Sequence, residues 1–118
     1  MWLSLVIPQG PWSCSGSSNR ELVANLWKSG IITRQAVRDA MLQTDRRHYA
    51  PIDPYYDSPQ PIGHHATISA PHMHAHALEL LADVLPATGA RVLDVGCGSG
   101  VLLAMLARLT GPTGRRVE

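Results

Sequence analysis

The residues best placed to do chemistry in this chain of 118 residues are Val92-Leu93-Asp94-Val95-Gly96-Cys97-Gly98-Ser99-Gly100. Glycines directly after a buried strand let the backbone come close to a ligand at the start of the next helix, where unpaired amides favour an anionic or polar group. A nucleotide-like cofactor is the natural occupant. The spacing G-x-G-x-G departs from the G-x-G-x-x-G of dinucleotide sites, which disfavours a nicotinamide cofactor. The competing reading is a tight turn whose glycines only let strand and helix pack closely. Six histidines invite a second hypothesis, a metal, because His72 and His76 stand four residues apart with His64-His65 just upstream. No carboxylate or cysteine completes an obvious ligand set. A solvated polar helix face is the simpler account, and no metal is expected.

The elements that must hold these groups follow from local chemistry. Ser18 and Glu21 have capping-box spacing, so a helix begins there, with Leu22, Val23, Leu26 and Trp27 as its apolar stripe and Gly30 as its stop. Thr33 offers the cap of a second helix whose inward residues are Val37, Ala40, Met41 and Leu42. Between Arg46 and Gly63, four prolines and three tyrosines predict an ordered loop rather than regular structure. Ala66–Ile68 can be extended, and Pro71 suits the first turn of a third helix. Met73, Ala77, Leu80, Leu81 and Val84 would face inward along it, and Pro86 and Gly89 end it. Arg91–Val95 reads as a short strand, and the glycine loop leads into a helix over residues 101–110 carrying Leu102, Leu103, Leu106, Ala107 and Leu109. Strand, glycine turn and helix form the opening unit of a doubly wound α/β sheet.

Composition narrows the class of function. The apolar share is 45%, the charged share 16% and the formal net charge +1, which offers no electrostatic footprint for nucleic acid or an anionic membrane. Met1–Ile7 is apolar but lacks a basic leader and is broken by Pro8 and Pro11, so it is not read as a secretory signal. No stretch approaches the ~20 apolar residues of a membrane span. Cys14 and Cys97 are too few for a disulfide framework, and a reducing cytosolic setting is expected.

The glycine run with Asp94 two residues before its first glycine resembles motif I of class I S-adenosylmethionine-dependent methyltransferases. A second stretch is more specific. Gly63-His64-His65-Ala66-Thr67-Ile68-Ser69-Ala70-Pro71-His72-Met73-His74-Ala75 resembles the signature of the protein-L-isoaspartate O-methyltransferases, in which T-I-S-x-P opens a helix ahead of motif I. Asp45-Arg46-Arg47-His48-Tyr49 and Tyr55-Tyr56-Asp57-Ser58-Pro59 are similar to that family as well, and the similarity runs from about Ser18 to about Gly114. The resemblance implies a Rossmann-like α/β fold with an N-terminal helical subdomain, cut off after its first βα unit. Residues 1–17 would be a disordered extension, and residues 18–118 the first part of a methyltransferase domain. That domain divides into helices and loop 18–89, strand and glycine loop 91–100 and helix 101–110.

The resemblance also implies the chemistry. A methyl group passes from S-adenosylmethionine to the α-carboxylate of an L-isoaspartyl residue, or to the corresponding carboxyl of D-aspartate, in damaged proteins. The ester then cyclises unaided to a succinimide, which can reopen to normal aspartate. A carboxylate is already ionised at neutral pH, so no general base is needed; alignment with the methyl group and exclusion of water suffice. By resemblance Ser69 belongs to the active site, Ala66, Thr67, Ile68, Ser69 and His74 line the cofactor site, and Asp94, Gly96, Gly98 and Ser99 form its glycine-loop side. From position alone, Ser69 reads as a helix cap. The complete enzyme is expected to be a monomer whose partners are isoaspartyl-bearing proteins and peptides.

Departures from the pattern lie at His64-His65, where aromatic and amide side chains are expected, and at the end of the chain. There, the second strand and its ribose-binding acid should follow. Glu118 falls short of that acid's expected position. A lone parallel strand would leave the sheet unpaired, which gives the alternative of a catalytically inactive fragment that acts only by association with a partner. A methyltransferase for small molecules or RNA would keep motif I without the T-I-S-x-P stretch, and ranks last.

Overall fold

The computed structural model describes residues 14–111 and 115–117. Helix α1 is Asn19–Lys28 and α2 is Gln35–Leu42; a 3-10 turn at Arg46–His48 follows. Strands β1 (Gln60–Gly63) and β2 (Ala66–Ile68) form an antiparallel hairpin that feeds α3, Pro71–Ala82. Strand β3 (Arg91–Leu93), α4 (Val101–Thr110) and β4 (Arg115–Val117) complete the order.

Ser18 caps α1 as its spacing predicts, its hydroxyl accepting the Glu21 amide at 3.1 Å. The other half of the capping box does not form: the Glu21 carboxylate takes the Ser17 hydroxyl at 2.8 Å instead. At α2 the N-cap is Arg34 and carries no side-chain cap. Thr33 is drawn instead to Glu79 of α3, which accepts both its amide and its hydroxyl, and Arg34 pairs with Asp83 at the end of that helix. Contacts between elements thus replaced the local cap. Leu42 lies on the exposed side of α2, while Val37, Ala40 and Met41 are buried.

Helices α1 to α4 share one core that contains Leu22, Leu26, Ile32, Val37, Met41, Leu78, Met105 and Leu106. The extension expected to be disordered through residue 17 joins it earlier. Cys14 is buried, the Ser15 carbonyl accepts from Asn25, and Gly16 donates to the Tyr55 carbonyl, so the ordered body begins by residue 14. Residues 1–13, including the apolar run, lie outside the described residues.

Three further expectations change. The proline-rich loop ends in β1, because Gln60 to Gly63 can pair with the signature stretch across a two-residue turn, His64-His65. Both turn residues have positive φ, 53° and 58°, the backbone sign of the tight hairpin turns that match strand twist. In α3 the buried side is Pro71, His74, Ala75 and Leu78, while Met73, Leu80 and Val84 are exposed. Of the apolar stripe read from the sequence, Leu81 packs against the helical core, while Met73 and Ala77 border a cleft instead. Likewise α4 buries Val101, Met105, Leu106 and Thr110. Finally, β3 is not alone: it pairs in parallel with β4, Arg91 opposite Arg115 and Leu93 opposite Val117, so β3–α4–β4 is a complete βαβ crossover.

Candidate functional site

The C-terminal end of β3 and the N-terminal end of α3 face each other across a cleft of about 280 Å³. Each wall has its own local cause. On one side Leu93 ends the strand, and Gly96, Gly98 and Gly100 turn the chain with φ of 75°, 57° and 88°. Those values belong to the left-handed region that side chains disfavour, which is why glycine recurs there. Gly100 is the N-cap of α4, and no side chain caps it, so the first amides of that helix face the loop as ligand donors. On the other side β2 delivers Thr67, Ile68 and Ser69 to the start of α3, whose Met73, His74 and Ala77 continue the wall.

Of the residues expected here, Thr67, Ile68, Ser69, His74, Asp94, Gly96, Gly98 and Ser99 all line this one cleft. Ala66 does not: it pairs opposite Gly63 at the mouth of the hairpin, outside the lining. Met73, Ala77, Cys97, Val101 and Leu102 line it too and were not expected to. Met73 and Ala77 could have been found from their periodicity, which was assigned to the core instead. Glu118 lies outside the described residues.

Ser69 is not a helix cap. The N-cap of α3 is Ala70, and that helix takes no cap from a neighbouring side chain. Because Pro71 has no amide hydrogen, the first donor of the helix is the His72 amide, which Asp57, fifteen residues upstream, accepts at 2.9 Å. The same carboxylate oxygen receives the His72 ring Nδ1 at 2.8 Å, and Asp57 is completely buried. Relieved of capping, the exposed Ser69 hydroxyl borders the cleft.

Behind Ser69 lies Arg46, 1% exposed. Its Nη2 donates to the Ser69 carbonyl at 2.6 Å, and Nη1 lies 3.2 Å from His74 Nδ1. Burial lowers the Arg46 pKa to about 10, against a countervailing pull from the charge of Asp57. His74 is pushed down to about 4, first by burial and then by the Arg46 charge, so its ring is neutral at physiological pH. The sequence marks the segments holding Arg46 and Asp57 but gives neither a role, because both act across long stretches of chain. His72 and His76 do not form one solvated face: His72 is tied to Asp57, and only His76 is exposed. Among the described residues, no group of three or more His, Cys, Asp or Glu side chains could hold a metal.

The donor set fits a nucleoside-bearing methyl donor. Asp94 Oδ2 is buried and has no hydrogen-bond partner, an acceptor left over at the end of β3. A Cβ added at Gly96 or Gly100 would meet no neighbour within 4 Å, so the loop leaves open space beside its backbone.

Comparison with known proteins decides the family. The family model described as protein-L-isoaspartate(D-aspartate) O-methyltransferase matches residues 17–118. The chain belongs to that family. A protein-L-isoaspartate O-methyltransferase of Caenorhabditis elegans is 50% identical over 103 residues, covering 87% of this chain and 45% of its own length. One from Triticum aestivum is 50% identical over 101 residues, covering 84% and 44%. A solved structure from Plasmodium falciparum, a protein-L-isoaspartate O-methyltransferase in complex with S-adenosyl-L-homocysteine, superposes with a TM-score of 0.78 at 40% identity. It covers 86% of this chain and 48% of that one. The chain thus spans about half the length of these methyltransferases, and the α/β architecture inferred from the glycine loop is theirs.

Proposed function

We propose that the cleft between α3 and the glycine loop binds S-adenosylmethionine. The complete enzyme to which this half belongs would then methylate the α-carboxylate of L-isoaspartyl, and the corresponding carboxyl of D-aspartyl, residues in damaged proteins. The observation that carries the reading is the meeting of the T-I-S stretch and motif I in one cleft. Two segments more than twenty residues apart, each resembling the same family, converge where an unpartnered acid, uncapped helix amides and a free hydroxyl face one space. The Plasmodium protein with S-adenosyl-L-homocysteine bound supports the same choice of cofactor.

The cofactor supplies an electrophilic methyl group when bound. Thr67, Ile68 and Ser69 would hold it from the α3 side, with His74 beside them. Gly96, Gly98 and Ser99 would hold it through backbone from the loop side, and Asp94 would accept a hydrogen bond from it. The Ser69 hydroxyl is placed to orient the substrate carboxylate. Attack by that carboxylate needs no base at neutral pH, so the protein's task is alignment and removal of water. A cytosolic setting belongs to the same reading, supported by the absence of a disulfide at Cys14 and Cys97 among the described residues.

A second reading rests on a different observation. Leu93 and Val95, 67% and 85% exposed, leave the β3 side of the sheet bare, as expected of a chain that acts only by association with a partner. Transfer of labelled methyl from S-adenosylmethionine to an isoaspartyl peptide, beside its normal aspartyl twin, separates the two. Base-labile label on the isoaspartyl peptide alone establishes the enzyme. No transfer by a folded chain that binds S-adenosylhomocysteine decides for the second reading, a chain without activity of its own.

A further inference from the structure

Arg46 is a cation buried among groups that do not neutralise it. Among the described residues its side-chain partners are a backbone carbonyl and an imidazole; its Nε is buried without a partner, and Asp57 acts on it only through space. Burying a guanidinium is costly, and a side chain that served only to fill space would be better apolar. The two groups it does reach are both on the cleft wall: the carbonyl of Ser69 and the ring of His74, on either side of the first turn of α3.

The chemistry of that contact is one-directional. A guanidinium carries only donors, so His74 Nδ1 must accept, and the proton of the neutral ring must sit on Nε2. We infer that Arg46 is a positioning residue, fixing His74 as a hydrogen-bond donor through Nε2 in the cleft while holding Ser69 in place by its carbonyl. The inference rests on the proposed cofactor site for its purpose. It goes beyond that site by assigning a role to a residue that does not line the cleft. The ligand group it serves is an acceptor, a carboxylate or hydroxyl oxygen of the cofactor. A ring free to swap tautomers would present a donor only part of the time, and a protonated ring beside Arg46 would add a second buried cation; the Arg46 fork prevents both. Burial and the Arg46 charge keep the ring neutral well below physiological pH.

The test reads the ring directly. In ¹⁵N-labelled chain, long-range nitrogen–proton spectra of the imidazoles should show His74 as the Nε2–H tautomer at pH 7 and unprotonated at pH 5.5. In Arg46→Met, the same spectra should show a tautomer mixture. The affinity for S-adenosylhomocysteine, by titration calorimetry, should fall by about twofold for an even mixture, since binding then selects the donor tautomer, and by more where the Ser69 carbonyl has lost its anchor. Arg46→Lys, which keeps a donor and the charge but loses the fork, should recover the Nε2–H tautomer but only part of the affinity. A His74 ring protonated on Nδ1 in the unaltered chain would overturn the inference even if neither variant folds. An unchanged tautomer in a folded Arg46→Met chain would overturn it too. Failure of the unaltered chain to bind S-adenosylhomocysteine would instead count against the proposed function, since the state of the ring nitrogens is measured without ligand.

Discussion

At the residue scale, the site depends on buried polar groups whose partners come from distant parts of the chain. His74 carries a pH signature. Its folded pKa, about 4, lies below the ordinary value of 6.5, so the unfolded chain binds its proton first as pH falls. Stability from this group is therefore complete above about pH 6.5 and declines down to about pH 4, by up to about 3 kcal/mol. Urea midpoints at pH 7 and pH 5 should differ accordingly, and His74→Gln should flatten that part of the profile. A histidine contribution that grew on acidification would contradict the neutral ring. Asp94 makes the opposite kind of claim. Its orphaned oxygen costs the empty chain something and serves the ligand, so Asp94→Asn should leave the melting temperature equal or higher while weakening S-adenosylhomocysteine about tenfold. An unchanged affinity would remove Asp94 from the site.

At the element scale, the hairpin and the helix caps decide how accurately the T-I-S stretch is delivered. His64 and His65 occupy a turn that needs positive φ at both positions, where the asparagine-glycine pair is preferred and a side chain at the second position costs what glycine does not. The double change His64→Asn with His65→Gly should stabilise the chain by about 1 kcal/mol, seen as a melting temperature raised by a few degrees. A lower melting temperature would mean that the histidine side chains hold the turn by contacts that outweigh its backbone strain. Ser18→Ala removes the α1 cap and should cost about 1 kcal/mol in a denaturant titration, with S-adenosylhomocysteine binding unaltered because α1 stands outside the cleft. Local chemistry was legible at α1 but not at the hairpin, whose strand β1 was read as loop. The Ser18 cap could be read from spacing alone, whereas Thr33 was lost to Glu79, a partner 46 residues away that no local pattern reveals.

At the scale of the whole molecule, four helices build a closed core while the two-stranded parallel sheet stays open. Leu81, Val84, Leu85 and Leu93 line a second groove of about 360 Å³ beside β3, and Val95 projects beyond it. Parallel strands are ordinarily covered on both faces, and two strands make a weak sheet. The exposed apolar face should bind a hydrophobic dye and promote self-association. Val95→Thr with Leu93→Thr should reduce dye fluorescence and aggregation while shifting stability by no more than about 0.5 kcal/mol. A large loss of stability would show that these side chains are packed in solution.

What the sequence determined by itself is local or short-ranged: the Ser18 cap, the glycine loop after β3, the proline that opens α3 and the two stretches that resemble one family. Those features depend on backbone conformation and hydrogen bonds within a few residues, so spacing reveals them. The tertiary structure alone decided which face of α3 is buried, that residues 14–17 pack on α1, that β4 pairs with β3, and that Ala66 stands apart from its neighbours. It also brought Arg46 to Ser69 and His74, and Asp57 to His72. Each of those outcomes is a choice among partners distant in sequence, made by the energy of burying polar groups and covering apolar surface, and one-dimensional spacing carries no record of that choice.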